Sequence, residues 1–155
     1  CEELSINSFH TLDADDPFFC GEEIHRSFEL LKKGYDVVTP TPSSSNGGAT
    51  VGYSLTKDIL IKVSDKIDEN TNTEMIMPFL KQIKDIKIAK LDDPDNSVIN
   101  QRMTLDYPED YEKLLKVLEI VGPMATRQEV YNCLKQNSEL DKINTTLRNL
   151  MKRRL

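Results

Sequence analysis

No apolar run in the 155 residues approaches the length of about 20 that a membrane-spanning helix needs. The chain opens without a basic segment followed by an apolar stretch, so the sequence predicts no secretory signal. A glycine-rich phosphate loop of the G-x-x-x-x-G-K type is absent as well. We therefore expect no membrane partner, and nothing in the sequence by itself marks a triphosphate-binding loop.

Basic residues are absent from the start of the chain. Residues 1–23 contain seven acidic residues and neither Lys nor Arg, and the whole chain has a net charge of −6. A protein that binds nucleic-acid backbones in general needs a basic face. We therefore expect no nucleic-acid partner.

Cysteine is also sparse: the chain has only Cys1, Cys20 and Cys133, and no two of them form a C-x-x-C pair. An odd number of unpaired thiols favours a reducing compartment, and we expect a cytoplasmic protein. His10 and His25 have no Cys or His partner at the spacing of zinc ligands, which disfavours a zinc site. Because the first residue is not Met, we expect a piece of a longer protein.

The chain contains a succession of short strands and amphipathic helices. Apolar residues in strand patterns predict strands at residues 5–12, 36–39, 86–91 and 102–105. Apolar residues at helical spacing predict helices over 22–33, after a cap at Ser54 or Thr56, and over 73–84 with a kink at Pro78. Strands that alternate with helices predict an α/β layer structure with a largely parallel sheet.

The clearest helix signals lie after residue 105. Asp106 is a good N-cap, Pro108 stands in the first turn, and Gly122 marks the end of that helix. Its apolar stripe is expected to comprise Leu114, Leu115, Leu118 and Val121. Thr126 and Glu129 have capping-box spacing and predict a further helix, which ends near Asn137 and is followed by helical segments to the C-terminus.

Three carboxylates are clustered after the first predicted strand, in the segment Asp13-Ala14-Asp15-Asp16-Pro17. Open α/β sheets place their ligands at the carboxyl ends of strands. Clustered carboxylates repel one another, and a bound Mg²⁺ or Mn²⁺ would offset that repulsion because hard cations prefer oxygen ligands. The segment is therefore either a metal site or an acidic turn in which one Asp caps the next helix. The Pro/Ser/Gly-rich segment 40–50 is likewise either a ligand-binding loop or a plain surface loop.

Four segments in order carry a family resemblance: Leu12-Asp13-Ala14-Asp15-Asp16-Pro17-Phe18, Tyr35-Asp36-Val37-Val38-Thr39 with Gly52-Tyr53-Ser54, Thr73-Glu74-Met75-Ile76-Met77-Pro78-Phe79, and Leu105-Asp106-Tyr107-Pro108-Glu109-Asp110-Tyr111. They resemble the G-D-x-P segment, the sugar-pocket strand and its return, the E-H-V-T-P-Y segment and the D-T-P-E-D-x-E signature of bacterial cytidylyltransferases. This family makes CMP-activated sugars and includes the CMP-KDO and CMP-acylneuraminate synthetases and the spore-coat polysaccharide branch. Residues 129–144 of this chain resemble the helical tail of the spore-coat branch. Met75 stands where the family has His.

The resemblance implies a three-layer, mostly parallel sheet of the nucleotide-diphospho-sugar transferase type. The family's first half, with its basic phosphate loop, has no counterpart, so the chain resembles the C-terminal portion of the enzyme. Residues 1–121 would form a partial nucleotidyltransferase domain, and residues 122–155 a helical tail packed on it.

The resemblance also implies a reaction, in which CTP and an acidic or modified sugar give a CMP-sugar and pyrophosphate for surface polysaccharide synthesis. Asp15 and Asp106 would be catalytic ligands of Mg²⁺ or Mn²⁺, and the substrate-binding residues would be Glu74, Thr39, Gly52 and Tyr53. The whole enzyme would be a homodimer, and this chain alone is expected to be inactive.

Two rival hypotheses remain open. Asp13-Ala14-Asp15 is also the D-x-D pattern of a metal-dependent glycosyltransferase that uses a nucleotide-sugar. Without a phosphate loop, the chain is alternatively a non-enzymatic scaffold or assembly module. The D-Y-P-E-D helix start at residues 106–110 favours the cytidylyltransferase, because a glycosyltransferase gives it no role.

Overall fold

The computed structural model describes residues 1, 3–42, 52–68, 70–73, 75–93 and 101–152, with side chains omitted at 147, 148 and 150–152. Contacts divide the chain into two compact units. Unit 1 comprises Cys1–Thr11, Glu22–Pro40 and Gly52–Leu91, and unit 2 comprises Leu12–Gly21, Thr41–Val51 and Asp92–Leu155. The helices on both sides of residue 121 share one core.

Unit 1 is built on a sheet, which among the described residues has four strands. They are β1 (Ser8–His10), β2 (Val37–Thr39), β3 (Ser54–Thr56) and β4 (Ile88–Lys90), in the order β1-β3-β2-β4. β3 pairs antiparallel with both β1 and β2, and β2 pairs parallel with β4. The expectation of a mostly parallel sheet is therefore wrong: the sheet is mixed, since β3 is the returning strand of a β2–β3 pair.

The pleat of this sheet sends alternate residues to two helical layers. Val37 and Leu55 face α2 (Lys57–Ser64) and α3 (Met77–Leu80), where they pack in one buried cluster. Val38 and Ala89 pack instead against Leu31 of α1 (Gly21–Lys32). Unit 1 thus has helices on both faces of its sheet, in agreement with the three-layer expectation.

Local signals set the ends of these helices. α1 is followed by Gly34 at φ 92°, a left-handed conformation that glycine adopts without strain. α2 is capped by Thr56, whose hydroxyl accepts from the Ile59 N–H at 3.4 Å. The helix predicted over 73–84 is wrong in its extent, because α3 is a single turn with Pro78 near its start.

Gly52 lies so close to Thr11 that no side chain fits. A Cβ built on Gly52 would stand 1.7 Å from the Thr11 carbonyl oxygen. Tyr53, which follows Gly52, is hydrogen-bonded to Thr11. The Thr11 N–H donates to the Tyr53 carbonyl, and the Tyr53 N–H donates to Thr11 Oγ1, each at 2.9 Å. Gly52 therefore permits close approach of two backbones next to the β1–β3 pair.

Gly52→Ala is expected to lower the free energy of unfolding by about 1–3 kcal/mol, because backbone must move to admit the methyl group. Gly21→Ala is the control, since a Cβ there meets nothing within 4 Å. Urea unfolding of the two variants provides the measurement. Equal stability of the two variants would contradict the close approach.

Unit 2 is helical, with α4 (Pro108–Val121), α5 (Arg127–Gln136) and α6 (Ser138–Lys152). Its buried core includes Leu114 and Val117 of α4 with Val130 and Leu134 of α5, and Phe18 packs against it. The capping box of Thr126 and the helix end at Gly122 are confirmed. None of the helices in the described ranges is long and apolar enough to cross a bilayer.

Three expectations for unit 2 are wrong. Residues 102–105 form no strand, and the N-cap of α4 is Tyr107 rather than Asp106. Leu115 and Leu118 are exposed, because α4 turns Asp110 and Lys113 toward the interior beside Leu114 and Val117. A count of apolar residues cannot reveal that charged side chains share the buried face.

Candidate functional site

The two carboxylate segments of the resemblance lie side by side in unit 2. The Leu105 N–H donates to the Asp15 carbonyl oxygen at 2.8 Å, which brings Asp15 against the residue before Asp106. Asp13 and Asp16 form a turn beside this contact, where Asp16 N–H donates to the Asp13 carbonyl at 3.1 Å. This contact is a backbone hydrogen bond between residues that belong to no strand.

The two oxygens of the Asp106 carboxylate have different surroundings. Oδ2 accepts from the Arg102 guanidinium and from the Thr104 hydroxyl at 3.4 Å. Oδ1 accepts no hydrogen bond from the described part of the chain, and the side chain is 42% exposed. Asp106 therefore has one anchored oxygen and one that is available to a ligand.

Asp15 and Asp106 are the two carboxylates that the resemblance assigns to magnesium or manganese, and the Leu105–Asp15 hydrogen bond joins their segments. Across the described residues no group of three His, Cys, Asp or Glu side chains is placed to hold a metal. Mg²⁺ is commonly bound by one or two carboxylates, with waters and substrate phosphates completing its shell. A pair of carboxylates with a free oxygen suits that mode, whereas a closed structural site would need more protein ligands.

A fully buried carboxylate, Asp110, lies behind Asp106. It accepts from Arg102 Nε at 2.9 and 3.1 Å and from Asn144 Nδ2 at 2.8 Å. The N–H groups of Asp106 and Tyr107 each donate to its Oδ2 at 3.2 Å. Burial opposes ionisation of Asp110, but these hydrogen bonds outweigh it and hold the pKa of Asp110 below its usual range.

Lys113 and Asn144 complete this buried polar network. Lys113 is fully buried, and its ammonium group donates to Gln101 at 2.7 Å, to Asn144 Oδ1 at 3.1 Å and to the Arg102 carbonyl at 3.2 Å. Asn144 lies at a kink inside α6 with φ −119° and ψ 16°. The kink directs its amide to Asp110 and the Arg102 carbonyl, so α6 is joined to the segment that precedes α4.

The expected substrate-binding residues that the structure describes lie in unit 1. The Thr39 hydroxyl donates to the Ala89 carbonyl at 3.3 Å across the β2–β4 pair. Tyr53 packs beside the α2 and α3 core, and Gly52 has the backbone role described above. Glu74 and the 43–50 part of the Pro/Ser/Gly loop lie outside the described residues. Their assignment to a substrate stays a prediction.

The residues that surround Asp106 were not predicted from the sequence. Arg102 was assigned to a strand, and Lys113 and Asn144 were given no role. Charged positions three and four residues apart on α4 were the available signal, since Asp110 and Lys113 share a face with Leu114 and Val117.

A second series of polar side chains, in unit 1, was also not predicted. Ser27 Oγ donates to the Ile24 carbonyl at 2.6 Å, so Ser54 must donate to Ser27, and His10 Nδ1 must donate to Ser54 Oγ at 2.7 Å. Burial lowers the pKa of His10, which favours the neutral ring in this arrangement. This series of hydrogen bonds joins β1 and β3 to α1.

One solved structure matches this architecture. It is a cytidylyltransferase from Leptospira borgpetersenii serovar Hardjo-bovis (strain JB197), with a TM-score of 0.77 and 16% sequence identity over 90% of this chain. The chain has the fold of a cytidylyltransferase. It spans 60% of the length of that structure. No protein-family model matches the sequence, and no curated protein matches it.

This cytidylyltransferase fold confirms the resemblance at the level of architecture. At 16% identity the likeness concerns the fold and does not specify a branch of the family. The roles of Asp15 and Asp106 must therefore be argued from the local geometry of the site and tested by experiment.

Proposed function

We propose that the chain is part of a CTP-dependent sugar cytidylyltransferase and supplies its divalent-cation site. The reaction joins CTP and a sugar to give a CMP-sugar and pyrophosphate. The observation that carries the proposal is the 2.8 Å hydrogen bond from Leu105 N–H to the Asp15 carbonyl, on a cytidylyltransferase fold. It brings together the two segments whose aspartates the family resemblance assigns to the metal.

In the proposed site Asp15 and the free oxygen of Asp106 hold Mg²⁺ or Mn²⁺. Bound there, the ion supplies charge neutralisation for the phosphates of CTP. The protein's own part is positioning: the Leu105–Asp15 hydrogen bond sets the spacing of the two segments, and Arg102 holds Asp106 Oδ2. Little covalent chemistry is required of the side chains, since aligning the reacting groups supplies much of the acceleration.

The remaining features of the proposal follow from the resemblance. The complete enzyme is a cytoplasmic homodimer that activates an acidic or modified sugar for surface polysaccharide synthesis. The phosphate loop belongs to sequence that this chain lacks, so CTP turnover requires the larger protein.

Mn²⁺ binding to the purified chain tests the metal site. Water-proton relaxation measures the affinity, because bound Mn²⁺ changes the relaxation of solvent protons. We expect Asp15→Asn and Asp106→Asn each to weaken binding at least about tenfold, since Asn lacks the charge that a hard cation prefers. Asp13→Asn is the control, because Asp13 is an exposed carboxylate of the same turn. It should change the affinity less than about twofold.

The variants also separate the rival functions. Equal losses in Asp13→Asn and Asp15→Asn, with none in Asp106→Asn, would instead favour the D-x-D glycosyltransferase. Absence of Mn²⁺ binding by the unmodified chain, alone and with CTP, would remove the metal site. The scaffold hypothesis would then be favoured.

A further inference from the structure

Arg102 contacts two carboxylates at once. Its Nε and Nη2 donate to Asp110, with Nη2 2.8 Å from Asp110 Oδ2, and Nη2 also donates to Asp106 Oδ2. The Arg102 side chain is 10% exposed, whereas those of Asp110 and Asp106 are 0% and 42% exposed. A largely buried guanidinium therefore connects an interior carboxylate to the half-exposed carboxylate of the candidate site.

The interior end of this connection is rigid. Asp110 is held by Asn144 Nδ2 at 2.8 Å and by two backbone N–H groups at the start of α4. The Arg102 backbone is held as well, since its carbonyl accepts from Lys113 and Asn144, each at 3.2 Å. Both the backbone and the guanidinium of Arg102 are thus fixed to α4 and to the kink of α6.

We infer that Arg102 is a positioning residue for Asp106, which it holds by Oδ2 in one rotamer so that only Oδ1 faces a divalent cation. The inference rests on the proposed metal site. The planar guanidinium fork suits this task, because one group bridges two carboxylates in fixed geometry. The same positive charge repels a nearby cation, so the benefit of Arg102 lies in orientation and not in attraction.

Arg102→Lys separates orientation from charge. Lys keeps the positive charge but lacks the planar fork, so it cannot reproduce both carboxylate contacts. Arg127→Lys is a matched control: the Arg127 side chain is also 10% exposed and pairs with Asp93 at 3.7 Å. Both variants lose a guanidinium from a largely buried ion pair in unit 2, but the ion pair of Arg127 is with Asp93 and that of Arg102 includes Asp106.

The first measurement needs no metal. Three-bond couplings from the Asp106 carboxyl carbon to its backbone nitrogen and carbonyl carbon report χ1 in the isotope-labelled chain. We expect values of a single staggered rotamer in the wild-type protein and in Arg127→Lys, and averaged values in Arg102→Lys. The wild-type chain should also show slow rotation of the Arg102 guanidinium. Rotamer averaging at Asp106 or free rotation of Arg102 in the wild type would overturn the inference, even if Arg102→Lys failed to fold.

The second measurement is Mn²⁺ affinity by water-proton relaxation. Loss of a residue that orients a ligand commonly costs 10–100-fold in metal affinity, so we expect at least a tenfold loss in Arg102→Lys and less than twofold in Arg127→Lys. Equal losses in both variants, or a single Asp106 rotamer retained in Arg102→Lys, would show a merely structural role. If the wild type binds no Mn²⁺ while the couplings behave as expected, the metal site fails and the positioning of Asp106 stands.

Discussion

Asp110→Ala is expected to lower the free energy of unfolding by about 3–5 kcal/mol, because removing one partner of a buried ion pair leaves the other charge uncompensated. The carboxylate is fully buried, and its loss deprives Arg102 and Asn144 of their common acceptor. Two N–H groups at the start of α4 lose their acceptor in the same step. Urea unfolding followed by circular dichroism measures the change.

Glu109→Ala is the control for this result, since Glu109 is the exposed neighbour in the same helical turn. It should cost less than about 1 kcal/mol, the usual effect of a charge near a helix start. A cost below about 1 kcal/mol for Asp110→Ala as well would show that the buried network does not stabilise unit 2.

Acidification should reduce the difference between the wild type and Asp110→Ala. The folded-state pKa of Asp110 is lowered, so its stabilisation is fully present above the unfolded value of about 3.9 and is lost as pH falls through the lower folded value. The wild type should therefore lose this stability in acid, whereas the variant has no such carboxylate to protonate. A constant difference from pH 7 to pH 2 would contradict the lowered pKa.

Asn144→Ala is expected to lower the free energy of unfolding by about 2–4 kcal/mol, although alanine is the better helix former. Helix propensity alone favours the variant by about 0.6 kcal/mol. Against this, Asp110 loses a donor at 2.8 Å and Lys113 loses an acceptor at 3.1 Å, both in the interior. Each unsatisfied buried group costs about 1–3 kcal/mol, so the lost hydrogen bonds outweigh the propensity.

Thr146→Ala gives the propensity effect without the loss of buried contacts. Thr146 is exposed on the same helix, two residues beyond the kink. Its replacement should be neutral or stabilise by about 0.5 kcal/mol, as measured by urea unfolding. If Asn144→Ala were also stabilising, the kink in α6 would be a local irregularity and not an anchor for Asp110.

Local elements of the fold were predictable because their signals lie within a few residues. Thr126 and Glu129 satisfy each other's backbone across one helical turn, and Gly34 and Gly122 follow the ends of their helices with positive φ. The strands at 36–39 and 86–91 were also located, the first from its β-branched residues and the second from its alternating apolar residues. The two aspartate segments were recognised because their motifs are contiguous.

Only the tertiary structure decided how these elements pair and which side chains are buried. The antiparallel place of β3 depends on residues more than 40 positions away in β1, and the Cβ exclusion at Gly52 depends on Thr11. On α4, Asp110 is buried because Arg102 and Asn144 donate hydrogen bonds to its carboxylate. Helical periodicity alone would place that charge in solvent. The sequence by itself determined most of the helix ends and the strands at 36–39 and 86–91, because those preferences are local. The anchoring of Asp106 required the tertiary structure, because its partner Arg102 is itself held by residues from two distant helices.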